Sequence, residues 1–230
     1  MITPTTTTMG SAAEAQLALL HLASPALPVG AYSYSQGLEA AIDLGLVRTP
    51  AEVETWIADG LRHVLGRYEA PVWLRLHAAC ASGDHASLLH WNAEFIATRE
   101  TAELRAETVQ MGYSLADLLA TLGAPLPVQP PEWCYPATQA WACVRWDVAA
   151  APGLVAYLFA WAENQVMAAL KAVPLGQVAG QRLLLALRPV IAAVAAAAAL
   201  VEEDDLATQA PAFAIVSARH ESQYSRLFRS

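Results

Sequence analysis

The chain has 230 residues, of which 56% are apolar and 15% charged. That is enough to bury a sizeable core and too apolar for a disordered polymer. A net charge of -8 excludes the basic face that phosphate-backbone binding needs, so no nucleic-acid partner is expected.

In chain order, residues 1–13 begin Thr-rich and aperiodic and are expected to be disordered; the first ten also lack the positive start of a signal peptide. Residues 14–210 read as one all-helical domain. Glu14–Leu22 is a short helical stretch. It leads into a turn where Pro25 and Pro28 forbid a continuous helix, Gly30 frees the backbone, and Ser33 or Ser35 is placed to cap a helix running to Leu44 and stopped by Gly45. Thr49-Pro50-Ala51-Glu52 is a capping box with proline at the first helical position, and the helix it opens carries Val53, Ile57, Leu61 and Leu65 at helical spacing. Glu69–Ala81 is another helix, and Asp84 caps the next. Thr98 to about Leu122 continues as helix, with Glu100, Glu103 and Glu107 on one face that reads as solvated. Five prolines in 124–136 mark a loop. Helices follow over Thr138–Val148 and from Pro152 to about Ala172, and Gln177 begins an alanine-rich one.

The most apolar run, Leu183–Val201, is interrupted by Arg188 and Pro189, which favours a buried, kinked helix over a membrane span. No stretch alternates as a strand does, so the fold is expected to be an all-α single-domain bundle of about ten helices with a flexible C-terminal tail. That tail, 211–230, is polar and basic, but Tyr224, Leu227 and Phe228 beside Arg226 and Arg229 have the anchor-plus-charge composition of an interface segment.

No chemistry stands out. The chain has no Walker phosphate loop, GxGxxG or GxSxG, so no GTP turnover of its own is expected. His77 with Cys80 and His85 with His90 are too few for a tetrahedral metal site, and Cys134 and Cys143 lack CxxC spacing; a satisfied core histidine and buried thiols are the expectation. Three cysteines, an odd number, do not make a secreted disulfide framework, so a cytoplasmic location is expected. These residues favour an interaction protein without a cofactor over an enzyme; the alternative is a soluble helical hydrolase without a recognisable motif.

Four segments, Leu27 to Glu39, Arg99 to Gly112, Trp161 to Gln177 and Arg219 to Ser230, carry Leu-Pro-Val-Gly-Ala-Tyr-Ser-Tyr-Ser-Gln-Gly-Leu-Glu, Arg-Glu-Thr-Ala-Glu-Leu-Arg with Gln-Met-Gly, Lys-Ala-Val-Pro-Leu-Gly-Gln, and Arg-His-Glu-Ser-Gln-Tyr-Ser-Arg-Leu-Phe-Arg-Ser. Together they resemble the UreF family of urease accessory proteins. The resemblance implies an all-helical homodimer with no activity of its own. It also implies a role bridging a nickel-carrying GTPase to a scaffold accessory protein that contacts apo-urease. Carried over by position, the implied partner surfaces are Tyr32, Tyr34, Ser35, Gly37 and Glu39; Lys171, Pro174, Gly176 and Gln177; and Tyr224, Arg226, Leu227, Phe228 and Arg229.

Overall fold

The computed structural model describes residues 7–208 and 210–230, with side chains from Ala12 onward. In chain order the α-helices are α1 (Thr7–Leu22), α2 (Leu38–Asp43), α3 (Pro50–Asp59), α4 (Ala70–Ser82), α5 (His85–Ala97), α6 (Ala102–Thr121), α7 (Tyr135–Arg145), α8 (Ala150–Ala172), α9 (Gln177–Ala198) and α10 (Pro211–His220). Short 3₁₀ turns occupy Ala31–Ser33 and Glu203–Asp205, and a π-helical segment over Gly60–Glu69 joins α3 to α4 without a break. Among the described residues there is no strand, and the all-α expectation holds.

The caps explain the boundaries. Glu52 N–H donates to Thr49 Oγ1 at 3.3 Å and Thr49 N–H to Glu52 Oε2 at 2.9 Å, the reciprocal pair expected at α3. Asp84 accepts from Ser87 N–H at 3.0 Å and starts α5. The continuous helix expected from Thr98 is broken instead. α5 ends at Ala97, Arg99 turns inward, and Thr101 Oγ1 accepts from Leu104 N–H at 3.1 Å to open α6. At the N-terminus α1 begins at Thr7, so residues 7–13 of the segment expected to be disordered are helical, while residues 1–6 lie outside the described residues.

α8 runs through the middle of the bundle, with Leu154, Leu158, Ala162, Val166 and Ala169 buried. It packs against α4, α7 and α9, and on its other side against α2 and the 31–33 turn. Trp73 is fully buried and donates through Nε1 to Gln139 Oε1 at 2.5 Å, tying α4 to α7. The backbone of Trp133–Cys134 lies so close to α6 that a Cβ at Gly112 would overlap the Trp133 carbonyl oxygen. α9 contains Pro189 as expected. It is long and apolar enough to cross a membrane by length and composition, yet Leu183, Leu187, Ile191 and Val194 pack into the bundle. Only a third of its most apolar window is buried, so the buried helix expected from sequence is buried on one side.

The mobile tail expected from composition is present in part. Tyr224, Ser225 and Arg226 are exposed and irregular. Pro211–His220 is helical, and Phe228 and Ser230 are buried.

Candidate docking site

The turn after α1 is shaped by its backbone. Gly30 adopts φ 77°, Gln36 φ 51° and Gly37 φ 83°. At Gly37 a side chain would be strained and would crowd the Ser217 backbone of α10 at 3.2 Å, so glycine lets the two segments touch. Gln36 is not a glycine, and its left-handed conformation is held by its amide: Oε1 accepts from Trp161 Nε1 at 2.6 Å, and Nε2 donates to Glu107 Oε1 at 2.7 Å. These bonds tie the turn to α8 and α6. Of the two serines expected to cap α2, Ser35 does so in part: the helix starts at Leu38 after Gly37, and the Ser35 hydroxyl accepts from Glu39 N–H in its first turn at 3.3 Å while donating to the carbonyl of Ser230.

The tail lies along this turn. Ser35 N–H donates to Ser230 O at 2.8 Å, and Arg229 N–H to Ser33 O at 2.8 Å. One carboxylate, Glu39, accepts from the backbone N–H of Leu227 at 2.7 Å and of Phe228 at 3.0 Å. It also faces His220 Nε2 at 3.1 Å. On the other edge of the same imidazole, Nδ1 lies 2.7 Å from Glu103 Oε2, and Glu103 Oε1 accepts from Arg226 at 2.6 Å. His220 is fully buried with a carboxylate at each nitrogen. Glu107, also buried, accepts from the Ser230 hydroxyl at 2.8 Å; burial is the main cause pushing its carboxyl up to about 7. At the far end of α10, Glu221 accepts from Ala102 N–H at 2.9 Å, at the start of α6.

Lys171, in the last turn of α8, completes the site. Its ammonium lies 5.9 Å from the centre of the Tyr32 ring and 5.4 Å from that of Phe228, within cation–π range of both. Turn, helix end and tail, widely separated in sequence, thus meet at one lysine.

The sequence-predicted residues divide into two groups. Tyr32, Lys171, Pro174, Gly176, Gln177, Tyr224, Arg226, Leu227 and Arg229 are exposed and available to a partner. Tyr34, Ser35, Gly37, Glu39 and Phe228 are buried, and their role in this state is to hold the tail against the turn. Glu39, offered as a contact residue, is the internal acceptor for the tail's backbone. Sequence reasoning missed His220, Glu103, Glu107 and Gln36. His220 and Gln36 lie inside the motifs already noted, and Glu103 with Glu107 was the i,i+4 face read as solvated; opposed to a distant basic tail, that pair was the available signal.

Behind the turn lies a cavity of about 100 Å³ with mostly apolar walls, Phe95, Met111, Trp161 and Phe213 among them, into which Gln36, Glu107, Ser217 and the buried Arg99–Glu69 pair at 2.5 Å bring polar groups. Tyr157 donates to Glu69 at 3.1 Å. Elsewhere, His77 Nε2 meets Val148 O at 3.1 Å as a satisfied core histidine. Burial pushes the thiols of Cys80, Cys134 and Cys143 up to about 12, so they are inert thiols, as expected. Among the described residues no group of three His, Cys, Asp or Glu side chains is arranged to hold a metal ion.

An all-helical bundle that uses its buried charges to lock its own C-terminal segment, and that displays aromatic and cationic residues around the lock, has the makings of an interaction scaffold. The UreF family profile matches residues 47–188. The urease accessory protein UreF of Cupriavidus metallidurans is 54% identical over 223 residues, spanning 93% of this chain and 97% of its own. That of Azoarcus sp. is 53% identical over 222 residues, spanning 92% and 94%. The bifunctional urease accessory protein UreEF of Bordetella bronchiseptica is 52% identical over 93% of this chain, which corresponds to 51% of the relative. The chain belongs to the UreF family.

Proposed function

We propose that this chain is a non-catalytic adaptor in urease maturation. In this reading it links the nickel-carrying accessory GTPase to the scaffold accessory protein bound to apo-urease, as a cytoplasmic homodimer with no cofactor, nucleic acid or membrane partner. The observation that carries the reading is the meeting of Tyr32, Lys171 and the Arg226–Arg229 tail at one place in a member of this family. Exposed Tyr32 and Tyr224, with Arg226 and Arg229 beside them, are the residue types that dominate interface energetics. Pro174 and Gly176 extend the same surface as a fixed turn between α8 and α9.

Nickel is cargo here. A delivery factor needs short-lived contacts with the metal, and a closed high-affinity site would retain it. The test is co-purification of the GTPase and the scaffold with this chain, as wild type, as Lys171→Ala and without residues 226–230, with melting temperature measured on the same samples. Lys171→Ala is expected to lose the GTPase, and the truncation to lose the scaffold, at least tenfold in affinity each. Retention of both partners by both variants refutes the adaptor role of this surface.

A further inference from the structure

We propose that the cavity behind the 31–36 turn is a binding site for a small organic cation, an alkylammonium or guanidinium of about four or five non-hydrogen atoms. The size follows from the volume: an apolar cavity of about 150 Å³ takes benzene, and this one has about 100 Å³. The charge follows from the walls. Phe95, Tyr135, Tyr157, Trp161 and Phe213 line it with aromatic rings, whose faces attract cations. The charged side chains among them are three carboxylates, Glu69, Glu100 and Glu107, against one base, Arg99. Arg99 is already committed. Its Nη1 bonds Glu69 at 2.5 Å, and its guanidinium lies 4.1 Å from the centre of the Phe95 ring. That stack shows one aromatic wall in use by a cation. Among the described residues no Lys or Arg stands over Tyr135, Tyr157, Trp161 or Phe213.

Glu107 is the group left over. A carboxylate taken out of water needs a cation or several N–H donors to stay ionised. The oxygens of Glu107 receive neutral donors, the Gln36 amide at 2.7 Å and the Ser230 hydroxyl at 2.8 Å. The ionisable groups around it are Glu69, Tyr34 and Arg99, and burial outweighs the help from Arg99, so its carboxyl sits at about 7. It therefore ionises near neutral pH, with no cation of the chain paired to it. A ligand anion would face Glu69 and Glu107. A bare metal ion would find too few ligands, since among the described residues no three of the suitable side chains are arranged for one. A neutral apolar guest would leave the Glu107 charge unanswered. An organic cation answers it while its alkyl or planar body rests on the rings.

The experiment is an amide-detected NMR titration of the full chain with propylammonium, and with 1-propanol as the neutral molecule of the same size, at constant ionic strength. Melting temperature is measured on every variant. Propylammonium is expected to shift the amides around Gln36, Glu107 and Phe213 and to bind at least tenfold more tightly than 1-propanol. Its affinity is expected to rise about tenfold between pH 6 and pH 8, because the cation favours the ionised form of Glu107. Glu107→Gln, which can still bond Gln36 and Ser230, is expected to weaken binding at least tenfold and to remove the pH dependence. Phe213→Leu, which keeps an apolar wall without a π-face, is expected to weaken it about threefold and to leave the pH dependence in place. Equal affinity for alcohol and cation, or no shift at these residues with propylammonium, overturns the inference. Binding that Glu107→Gln leaves unchanged overturns it too. Shifts at the same amides with nickel chloride and with neither organic probe assign the cavity to a metal ion and overturn it as well.

Discussion

Glu39 carries three interactions on one carboxylate: two backbone amides of the tail and one edge of His220. Such a buried group is costly unless every oxygen is occupied, and here the tail and the His220 ring occupy them. His220→Ala leaves Glu39 and Glu103 without the ring that bridges them. We expect a loss of about 3 kcal/mol in urea unfolding, the scale for leaving buried polar groups without their partner; a change below about 0.5 kcal/mol would mean that the bridge does not hold the two carboxylates. Glu107 makes a separate, pH-dependent prediction. Its carboxyl is pushed up to about 7 in the folded chain, from an ordinary 4.5. Below pH 4.5 both folded and unfolded chains hold the proton. Between 4.5 and 7 the folded chain keeps a proton that the unfolded chain has released, so stability falls as pH rises through this window and levels off above it. The loss amounts to about 3 kcal/mol at most. Glu107→Gln, which can still bond Gln36 and Ser230, should flatten this slope, as parallel urea titrations from pH 4.5 to 8 would record. An identical slope in the variant would assign the pH dependence to another group.

Among the elements, the tail is docked through a few strong bonds and one buried ring. Removing residues 226–230 takes away the two backbone amides that Glu39 accepts from, the Ser230 carbonyl bound by Ser35 and one side of the Lys171 pocket. Amide exchange over Ser33–Glu39 should rise at least tenfold while the α4, α7 and α8 amides keep their protection. Uniform loss of protection would make the tail part of the global core, and unchanged exchange in the turn would show that the two segments are not coupled. This balance also explains what was legible in the sequence. The capping box at Thr49, the Asp84 cap and the proline loop announced themselves because each is a local interaction with a fixed spacing. The late start of α2 did not. Ser35 reaches Glu39 N–H in the first turn as a local rule expects, but Gly37 takes the position before the helix, and the hydroxyl also donates to Ser230, 195 positions away. The same holds for Arg99, pulled out of a helical run by Glu69. Glu103 and Glu107 read as solvated because the groups they face belong to the other end of the chain. The residues of the site were visible as motifs, but which of them would be buried depended on long-range partners.

At the scale of the whole molecule, the bundle has two surfaces of different character. One gathers Tyr32, Lys171, Leu227 and the flanking arginines around the docked tail; the other is the bare apolar face of α9. In the proposed adaptor the first surface receives the partners. The central claim is that Tyr32 and Lys171 act as one surface. A double-mutant cycle tests it most directly: the affinity of the partner GTPase for wild type, Tyr32→Ala, Lys171→Ala and the double variant, all in the presence of the scaffold protein. Each single variant is expected to weaken binding tenfold or more with melting temperatures within about 2 °C of wild type, and the double variant to be little worse than either, with a coupling of about 1 kcal/mol. Strictly additive losses, or full binding by both single variants, would contradict the account.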